Sequence, residues 1–186
     1  MHVLVLAGGL SAERDVSLRS GRRVAEALRT ERPDWEVQLA DVDAQLLDHL
    51  RDHRPDVVIP LLHGAAGEDG ALRDVLQSLG IPFVGSIAAT SRLAFDKPVA
   101  KRLITDAGLR TPDCVAMPQS TFRELGSTGV LTAVVERLGL PLVVKPAKGG
   151  SALGASIVHD ASDLPAAMIG AFAYGDVVIM EQFISG

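Results

Sequence analysis

The first ninety residues alternate strand-like with helix-like segments, and this alternation restricts the fold more than any other feature of the sequence. The strand-like segments lie at residues 3–6, 36–40, 56–62 and 81–84. The segments between them carry apolar side chains at helical spacing, at residues 17–28, 44–53 and 72–79. Strands separated by helices favour a parallel sheet with right-handed crossovers. We therefore predict an α/β fold that begins with a parallel, doubly wound (Rossmann-like) domain over residues 1–95.

The pattern changes near residue 95, and the second half predicts an α+β domain over residues 96–186. Helices are predicted at residues 97–107, 130–138 and 161–171, with a loop at 126–129. Strands are predicted at residues 114–117, 142–144, 155–158 and 177–181. These strands are expected to form a small, largely antiparallel sheet beside the helices. The last residues follow a strand directly, which is typical of a chain that ends inside a domain.

A basic, glycine-rich loop joins two of these predicted strands. Its polar and glycine residues are Lys145, Lys148, Gly149, Gly150, Ser151 and Gly154. Glycine permits positive φ angles and a close approach of backbone N–H groups to an anion, and lysine supplies charge for phosphate. We expect the first strand to end at Lys145, because Pro146 has no N–H for the sheet. The order of residues does not match a Walker loop. A flexible hairpin with solvated lysines and a phosphate-binding hairpin both stay open.

The composition argues against several classes of function. The formal net charge of −5 argues against a surface that binds nucleic acid. The single cysteine, Cys114, excludes an intramolecular disulfide and a cysteine-based metal site, and its apolar neighbours predict a buried packing residue. No apolar run approaches the ~18 residues of a membrane span, and the N-terminus lacks the features of a signal peptide. We therefore expect a soluble cytoplasmic protein.

Charged residues follow the first and third predicted strands, where doubly wound sheets bind their ligands. Glu13 follows the first strand, and His63 and Glu68 follow the third. Glu13 is either a solvated loop acid or a ligand-binding acid, and Glu68 either caps the next helix or faces a ligand. The dinucleotide fingerprint is absent, because the glycine that follows Gly9 is Gly21.

Lys97 lies between Asp96 and Pro98, which fits the first turn of a helix. A lysine at this position opposes the helix macrodipole by a few tenths of a kcal/mol. This unfavourable placement indicates a functional use.

Together these segments resemble the D-alanine–D-alanine ligases, a family of ATP-grasp carboxylate–amine ligases. The matching segments, in family order, are GGLSAERDVS (8–17), LHGAAGEDG (62–70), GS (85–86), DK (96–97), VKPAKGGSALG (144–154) and EQFI (181–184). They are spread over the whole chain. The resemblance implies that residues 96–186 form the first lobe of an ATP-grasp fold. It also implies a reaction that joins two D-alanines through an acyl phosphate, giving D-alanyl-D-alanine for peptidoglycan, cell wall biogenesis and cell shape.

The resemblance assigns the first substrate to the loops of the N-terminal domain. Glu13 would hold the ammonium of the first D-alanine, with Val16 beside it and His63 near the carboxylate. Glu68 belongs to the same predicted substrate-binding set. Ser151, from the glycine loop, would join Glu13 as a catalytic residue by a hydrogen bond toward it.

The resemblance assigns ATP to the second domain. Lys97 and Lys145 would contact the phosphates, and the loop would close over them. The loop residues predicted to bind ATP are Lys148, Gly149, Gly150, Ser151 and Gly154. Glu181 and Ile184 would contact adenine through polar or backbone groups, and Phe183 would stack on it.

Two departures from the family pattern concern loops. Ala152 and Leu153 replace a serine and a valine of the family's glycine loop, and Ala66 stands where a glycine is common. The family's magnesium-binding acids and its groups that stabilise the intermediate come later in the chain. We therefore expect an N-terminal portion whose metal ligands lie beyond Gly186, and which needs ATP and Mg²⁺.

The partners implied are D-alanine and ATP, with no nucleic acid or membrane and with a possible homodimer through the N-terminal domain. Two alternative functions stay open. One is another ATP-grasp carboxylate–amine ligase, such as a D-alanine–D-lactate ligase. The other is a nucleotide-binding remnant that has lost catalysis.

Overall fold

A computed structural model of the chain describes residues 1–65 and 67–186. Ala66, one of the departures noted above, lies outside the described residues. The chain divides into two compact units, Met1–Leu93 and Ala94–Gly186. The division falls two residues before the boundary predicted from the sequence.

The first unit contains a parallel sheet. Its strands are β1 His2–Leu6, β2 Glu36–Ala40 and β3 Val57–Pro60. Its helices are α1 Arg14–Glu31, α2 Leu46–Asp52, α3 Ala65–Glu68 and α4 Ala71–Ser78, and α5 Ala88–Phe95 follows them. Within the described residues the strand order is β2-β1-β3, and both pairings are parallel. The predicted parallel sheet is confirmed.

The central strand β1 is buried on both of its faces, which is why its sequence is continuously apolar. Val3 and Val5 pack with Ala25 of α1 on one face. Leu4 and Leu6 pack on the other face with residues of α2 and α4. Helices therefore cover both faces of the sheet, as a doubly wound arrangement requires.

The prediction of a strand at residues 81–84 is wrong. In the described chain this segment makes an isolated parallel bridge between Val58 and Phe83, where the Val58 N–H donates to the Pro82 carbonyl at 2.9 Å. The N–H of Ile81 donates to the Leu76 carbonyl at 2.9 Å and so belongs to the end of α4. At the other side the chain turns at Gly85, with φ +115°. Little backbone is left for a strand.

The second unit contains an antiparallel sheet, as predicted. Its strands are β4 Cys114–Pro118, β5 Leu142–Pro146, β6 Ser156–Val158 and β7 Val177–Gln182. Its helices are α6 Lys97–Asp106, α7 Gln119–Leu125, α8 Ser127–Leu138 and α9 Leu164–Phe172, with a 3₁₀ turn at Ala161–Asp163. The described strands lie in the order β4-β7-β5-β6.

Two local predictions for this unit are corrected. Strand β5 continues through Pro146, which pairs with Val178. The next residue, Ala147, donates its N–H to β7, so the nitrogen of Pro146 faces the opposite side, where β6 has already ended. The predicted loop at residues 126–129 is mostly helix, because α8 already begins at Ser127.

The two faces of the second sheet differ in chemistry. One face packs against α8 and α9 and holds the core residues Leu142, Val144 and Met180. The alternate residues of β5 and β7, among them Lys145 and Glu181, point to the other face. Cys114, predicted to be a buried packing residue, begins β4 and is only partly buried. None of the helices formed by the described residues combines the length and apolar character needed to cross a membrane.

The packing of α1 on β1 depends on a glycine, and this gives a stability prediction. A Cβ at Gly21 would lie 2.4 Å from the Cβ of Ala7, the residue directly after β1, so Gly21→Ala must move the helix away from this end of the strand. We expect a loss of about 1–3 kcal/mol in the free energy of unfolding, measured by urea denaturation. The matched control is Gly129→Ala in α8, where an added Cβ meets no atom within 4 Å. That substitution should instead stabilise by about 0.5–1 kcal/mol, and equal effects at the two sites would contradict the packing argument.

Candidate functional site

The loops that follow β1 and β3 meet at a buried carboxylate. Glu13 comes directly before α1, and only 7% of its surface is exposed. Gly64 lies against it, since a Cβ at this position would fall 2.8 Å from Oε2 of Glu13. Gly64 also has φ +74°, which favours glycine. The close contact and the backbone conformation both require a residue without a side chain here.

His63 and Glu68 lie beside this carboxylate in a hydrogen-bonded loop. Ser11 Oγ donates to the His63 carbonyl at 2.7 Å, and Ser20 Oγ lies 3.4 Å from His63 Nε2. Nδ1 of His63 is 3.9 Å from Oε1 of Glu68, and Oε2 of Glu68 accepts the Gly64 N–H at 3.2 Å. Glu68 therefore caps the start of α3 while facing the histidine. The prediction that Glu68 caps the next helix is wrong, because the Ala71 N–H at the start of α4 donates to Asp69 Oδ1 at 2.8 Å.

The structure thus brings Glu13, His63 and Glu68 together at the carboxyl ends of the parallel strands. Val16 lies on the first turn of α1 and is 41% exposed. Their roles in substrate binding stay predictions.

A salt bridge that the sequence did not indicate fixes the glycine turn before Glu13. Asp41, at the end of β2, accepts the Gly9 N–H at 2.8 Å and pairs with the guanidinium of Arg14 at 2.5 Å. Arg14 also donates to the Gly9 carbonyl at 2.9 Å. The hydrogen bond from Arg14 lowers the pKa of Asp41 to about 2, although partial burial opposes this shift. The feature of the sequence that could have indicated this salt bridge is Asp41 itself, an acidic residue at the carboxyl end of the strand next to β1.

The basic glycine loop connects β5 to β6 in a tight turn. Ser151 and Ala152 adopt left-handed conformations, with φ of 48° and 55°. The turn is closed by a hydrogen bond from the Leu153 N–H to the Gly150 carbonyl at 3.1 Å. Gly154 has φ +68°, and a Cβ there would lie 2.6 Å from Cδ2 of Tyr174. The role predicted for Ser151 is untested by this geometry.

Three lysines line one cavity with this loop, and its volume is ≈410 Å³. They are Lys97, Lys145 and Lys148. Lys97 Nζ donates to the Gly149 carbonyl at 2.9 Å, and Lys148 Nζ lies 3.4 Å from Oδ2 of Asp96. Asp96 also caps α6, where its side chain accepts the Val99 N–H. The arrangement can bind a polyanion, because three lysine side chains and a glycine-rich loop line the same space.

Lys145 forms an ion pair that the sequence did not predict, with the carboxylate of Glu181. Glu181 is 8% exposed and pairs with Lys145 through Oε1 and with Lys101 through Oε2, the latter at 2.8 Å. Lys101 Nζ also donates to Thr111 Oγ1 at 2.8 Å. Burial alone would raise the pKa of Glu181, but the hydrogen bonds from Lys101 and Lys145 outweigh it, so the pKa lies below its usual value. The feature of the sequence that could have indicated this pairing is Lys101, one helical turn after Lys97.

The residues after β7 are placed near this pair. Phe183 is partly buried and donates its N–H to the Pro141 carbonyl at 3.1 Å, whereas Ile184 is 67% exposed. Their contacts with adenine stay predictions.

In the part of the chain that the structure describes, no group of three or more His, Cys, Asp or Glu side chains is placed to hold a metal ion. These residues do not fit a Mg²⁺ site by themselves.

Known proteins resemble the chain over almost its full length. Residues 44–86 match a family model described as D-ala D-ala ligase N-terminus, and residues 103–186 match one described as D-ala D-ala ligase C-terminus. A D-alanine–D-alanine ligase of Desulforudis audaxviator is 44% identical over 98% of this chain and 57% of its own length.

Solved structures agree with this match. The D-alanine–D-alanine ligase of Bacillus anthracis superimposes with a TM-score of 0.83 at 32% identity, over the whole of this chain and 58% of that protein. Its complex with ATP gives a TM-score of 0.82 at 30% identity and 60% coverage of that chain. The predicted fold class is confirmed. The chain spans less than two thirds of the length of these relatives.

The salt bridge of Asp41 gives a prediction for pH. The pKa of Asp41 lies below its value in an unfolded chain, so its stabilisation is present above about pH 4 and is lost as the pH falls through about 2. Asp41→Asn should lower the free energy of unfolding at pH 7 by about 1–2 kcal/mol, because the exposed arginine limits the gain. The difference between the proteins, measured by urea denaturation, should shrink from pH 4 to pH 2.

The control is Asp48→Asn on α2, where the carboxylate is 79% exposed. It should change stability by less than about 0.5 kcal/mol at any of these pH values. A difference for Asp41→Asn that persists unchanged to pH 2 would contradict the assigned salt bridge.

Proposed function

The chain belongs to the D-alanine–D-alanine ligase family, and on that premise we propose that it binds ATP and the first D-alanine in an enzyme that makes D-alanyl-D-alanine. ATP is converted to ADP and phosphate in this reaction. The product is proposed to serve peptidoglycan synthesis, and the enzyme is proposed to act in the cytoplasm.

The observation that carries the proposal is the cavity shared by the glycine loop and three lysines. Lys97, Lys145 and Lys148 provide three positive charges for a triphosphate that carries up to four negative ones. Phosphoryl transfer needs positioning and charge neutralisation more than it needs covalent help from the protein. The turn at Ser151 and Ala152 is exposed, so phosphate oxygens can reach its backbone once the loop closes.

Glu13 supports the other half of the reaction. A buried carboxylate at the edge of the first sheet suits an ammonium group, which would be bound by a charge-assisted hydrogen bond. His63, in the adjoining loop, suits the carboxylate of the same amino acid. The first D-alanine would then be oriented at both of its charged ends, with Val16 next to its methyl group.

The reaction proceeds in two balanced steps. A carboxylate oxygen of the first D-alanine attacks the γ-phosphorus of ATP, so that an acyl phosphate forms and ADP leaves. The neutral amine of the second D-alanine then attacks the acyl carbon, the C–N bond forms, and phosphate leaves with the bonding electrons. The amine's surplus proton passes to solvent. Lysines at the loop stabilise the charge that develops on the transferred phosphoryl group.

Mg²⁺ is proposed as the metal that accompanies ATP, on the strength of the family. Since the described residues do not themselves form a metal site, no step above is assigned to it. A homodimer through the first unit is likewise proposed.

The test uses the complete gene product, incubated with ATP, Mg²⁺ and D-alanine. We expect D-alanyl-D-alanine by mass spectrometry and one phosphate per dipeptide. D-Lactate in place of half of the D-alanine separates the alternative ligase, because that enzyme would form the ester instead. ATP binding without any condensed product would favour the non-catalytic remnant.

Glu13 provides a sharper test of the first-substrate site. Glu13→Gln keeps the shape and removes the charge that holds the ammonium. The Michaelis constant for the first D-alanine should rise by tens to hundreds of fold, on the order of 2–4 kcal/mol. The Michaelis constant for ATP should stay within about twofold, since it depends on the other unit.

The matched control is Glu26→Gln, an exposed acid on the same helix. It should leave both constants unchanged. Normal first-site kinetics in Glu13→Gln would remove Glu13 from the proposed substrate site.

A further inference from the structure

Glu181 has two ammonium partners, and only one of them faces the glycine-loop cavity. Lys145 lines that cavity, and 26% of its side chain is exposed. The side chain of Lys101 is 12% exposed and comes from α6. The two oxygens of the carboxylate are divided between them, Oε1 to Lys145 and Oε2 to Lys101.

The position of Lys101 is fixed from more than one side. Its ammonium donates to Thr111 Oγ1 and to Glu181 Oε2, each at 2.8 Å. These contacts join α6, the segment before β4 and strand β7. A lysine held in this way has lost its rotamer freedom, so its charge stays at Oε2 whatever happens at Oε1.

We propose that Lys101 is a positioning residue for the nucleotide, which holds Glu181 so that Lys145 can be shared between Oε1 and a phosphate. The inference rests on the proposed function of the glycine loop as an ATP site. Lys101 does not contact the nucleotide in this scheme and acts through Glu181.

The physical reason is the cost of an unpaired buried charge. With Lys101 in place, Glu181 keeps one counter-charge when Lys145 turns toward a phosphate. Without Lys101, Lys145 would be the remaining counter-ion of a carboxylate that is almost fully buried. Moving Lys145 to a phosphate would then leave the buried charge of Glu181 without a counter-ion. Lys145 would then stay on Glu181, and ATP would lose a phosphate contact.

A purely structural role for Lys101 predicts a different result. In that case its replacement would lower the melting temperature, but the molecules that remain folded would bind ATP as before. The affinity for the nucleotide therefore separates the two roles.

The experiment measures the dissociation constant of a fluorescent ATP analogue, methylanthraniloyl-ATP, for the complete gene product. Lys101→Met keeps the length of the side chain and removes its charge, and it should weaken binding about tenfold or more. Lys101→Arg restores the charge and should recover most of the affinity. The Michaelis constant for D-alanine should not change in either variant.

The matched control is Arg102→Met, which removes a cation from the next position of the same helix. Arg102 is 78% exposed and pairs with Asp106 instead of Glu181. Its affinity for the analogue should stay within about twofold of the parent protein, because an exposed charge is screened.

A double-mutant cycle tests whether Lys101 acts through Glu181. In a Glu181→Gln background, the further change Lys101→Met should alter the affinity by less than about twofold. A full additional loss would overturn the proposal. Should Lys101→Met fail to fold, Thr111→Val removes one hydrogen-bond partner of Lys101 and should weaken binding about threefold, and unchanged binding in that variant would overturn the proposal.

The outcomes also separate this inference from the proposed function. If the parent protein does not bind the analogue, the proposed ATP site fails and the inference fails with it. If the parent binds and Lys101→Met binds equally well, the ATP site stands and only the positioning role is overturned.

Discussion

A carboxylate held between two ammonium groups, away from water, is the interaction on which the second unit depends. Glu181 lies on β7, Lys145 on β5 and Lys101 on α6, so the charges connect three elements. Helix α6 buries none of its described residues fully, and apolar packing therefore contributes little to its position. Its first residue donates a backbone N–H to Ala147 at 3.0 Å, and Lys101 fixes its middle. Glu181, which is proposed to lie at the nucleotide site, therefore also attaches the helix that carries Lys97 and Lys101.

In the first unit, the loops beside Glu13 are held mainly by hydrogen bonds to the backbone. The chain after β1 and β3 leaves regular structure, and its buried backbone groups need partners. Ser17 Oγ accepts the Gly8 N–H at 2.8 Å and donates to the Leu61 carbonyl at 2.7 Å, so one hydroxyl connects both loops. Asp41 supplies the charged counterpart on the side of β2. Glu13 therefore lies in a loop whose backbone is held by hydrogen bonds, so the binding of an ammonium would require less ordering than in an unrestrained loop.

The sequence predicted what depends on local spacing, and it missed what depends on distant pairing. Strand β1 and the glycine loop were predicted because an apolar run and a cluster of glycines determine the local backbone structure at their own positions. The strand at residues 81–84 was wrong because the end of α4 takes one of its N–H groups, which the apolar run alone does not reveal. Asp41 and Lys101 were missed for a similar reason. Their partners Arg14 and Glu181 lie 27 and 80 residues away.

The tip of the glycine loop is strained and exposed, and this combination suits a loop that must close. Ser151 and Ala152 both have positive φ, which costs a non-glycine residue roughly 1–2 kcal/mol. The loop is anchored at its two ends, by Lys97 on Gly149 and by the contact of Gly154 with Tyr174, while Ser151 and Ala152 are exposed. A phosphate contact is worth on the order of 1.5–3 kcal/mol, comparable with the strain at one residue. A bound triphosphate can therefore change the conformation of the tip without disturbing the pairing of β5 with β6, and the replacement of a family serine by Ala152 leaves the backbone N–H groups to make the new contacts.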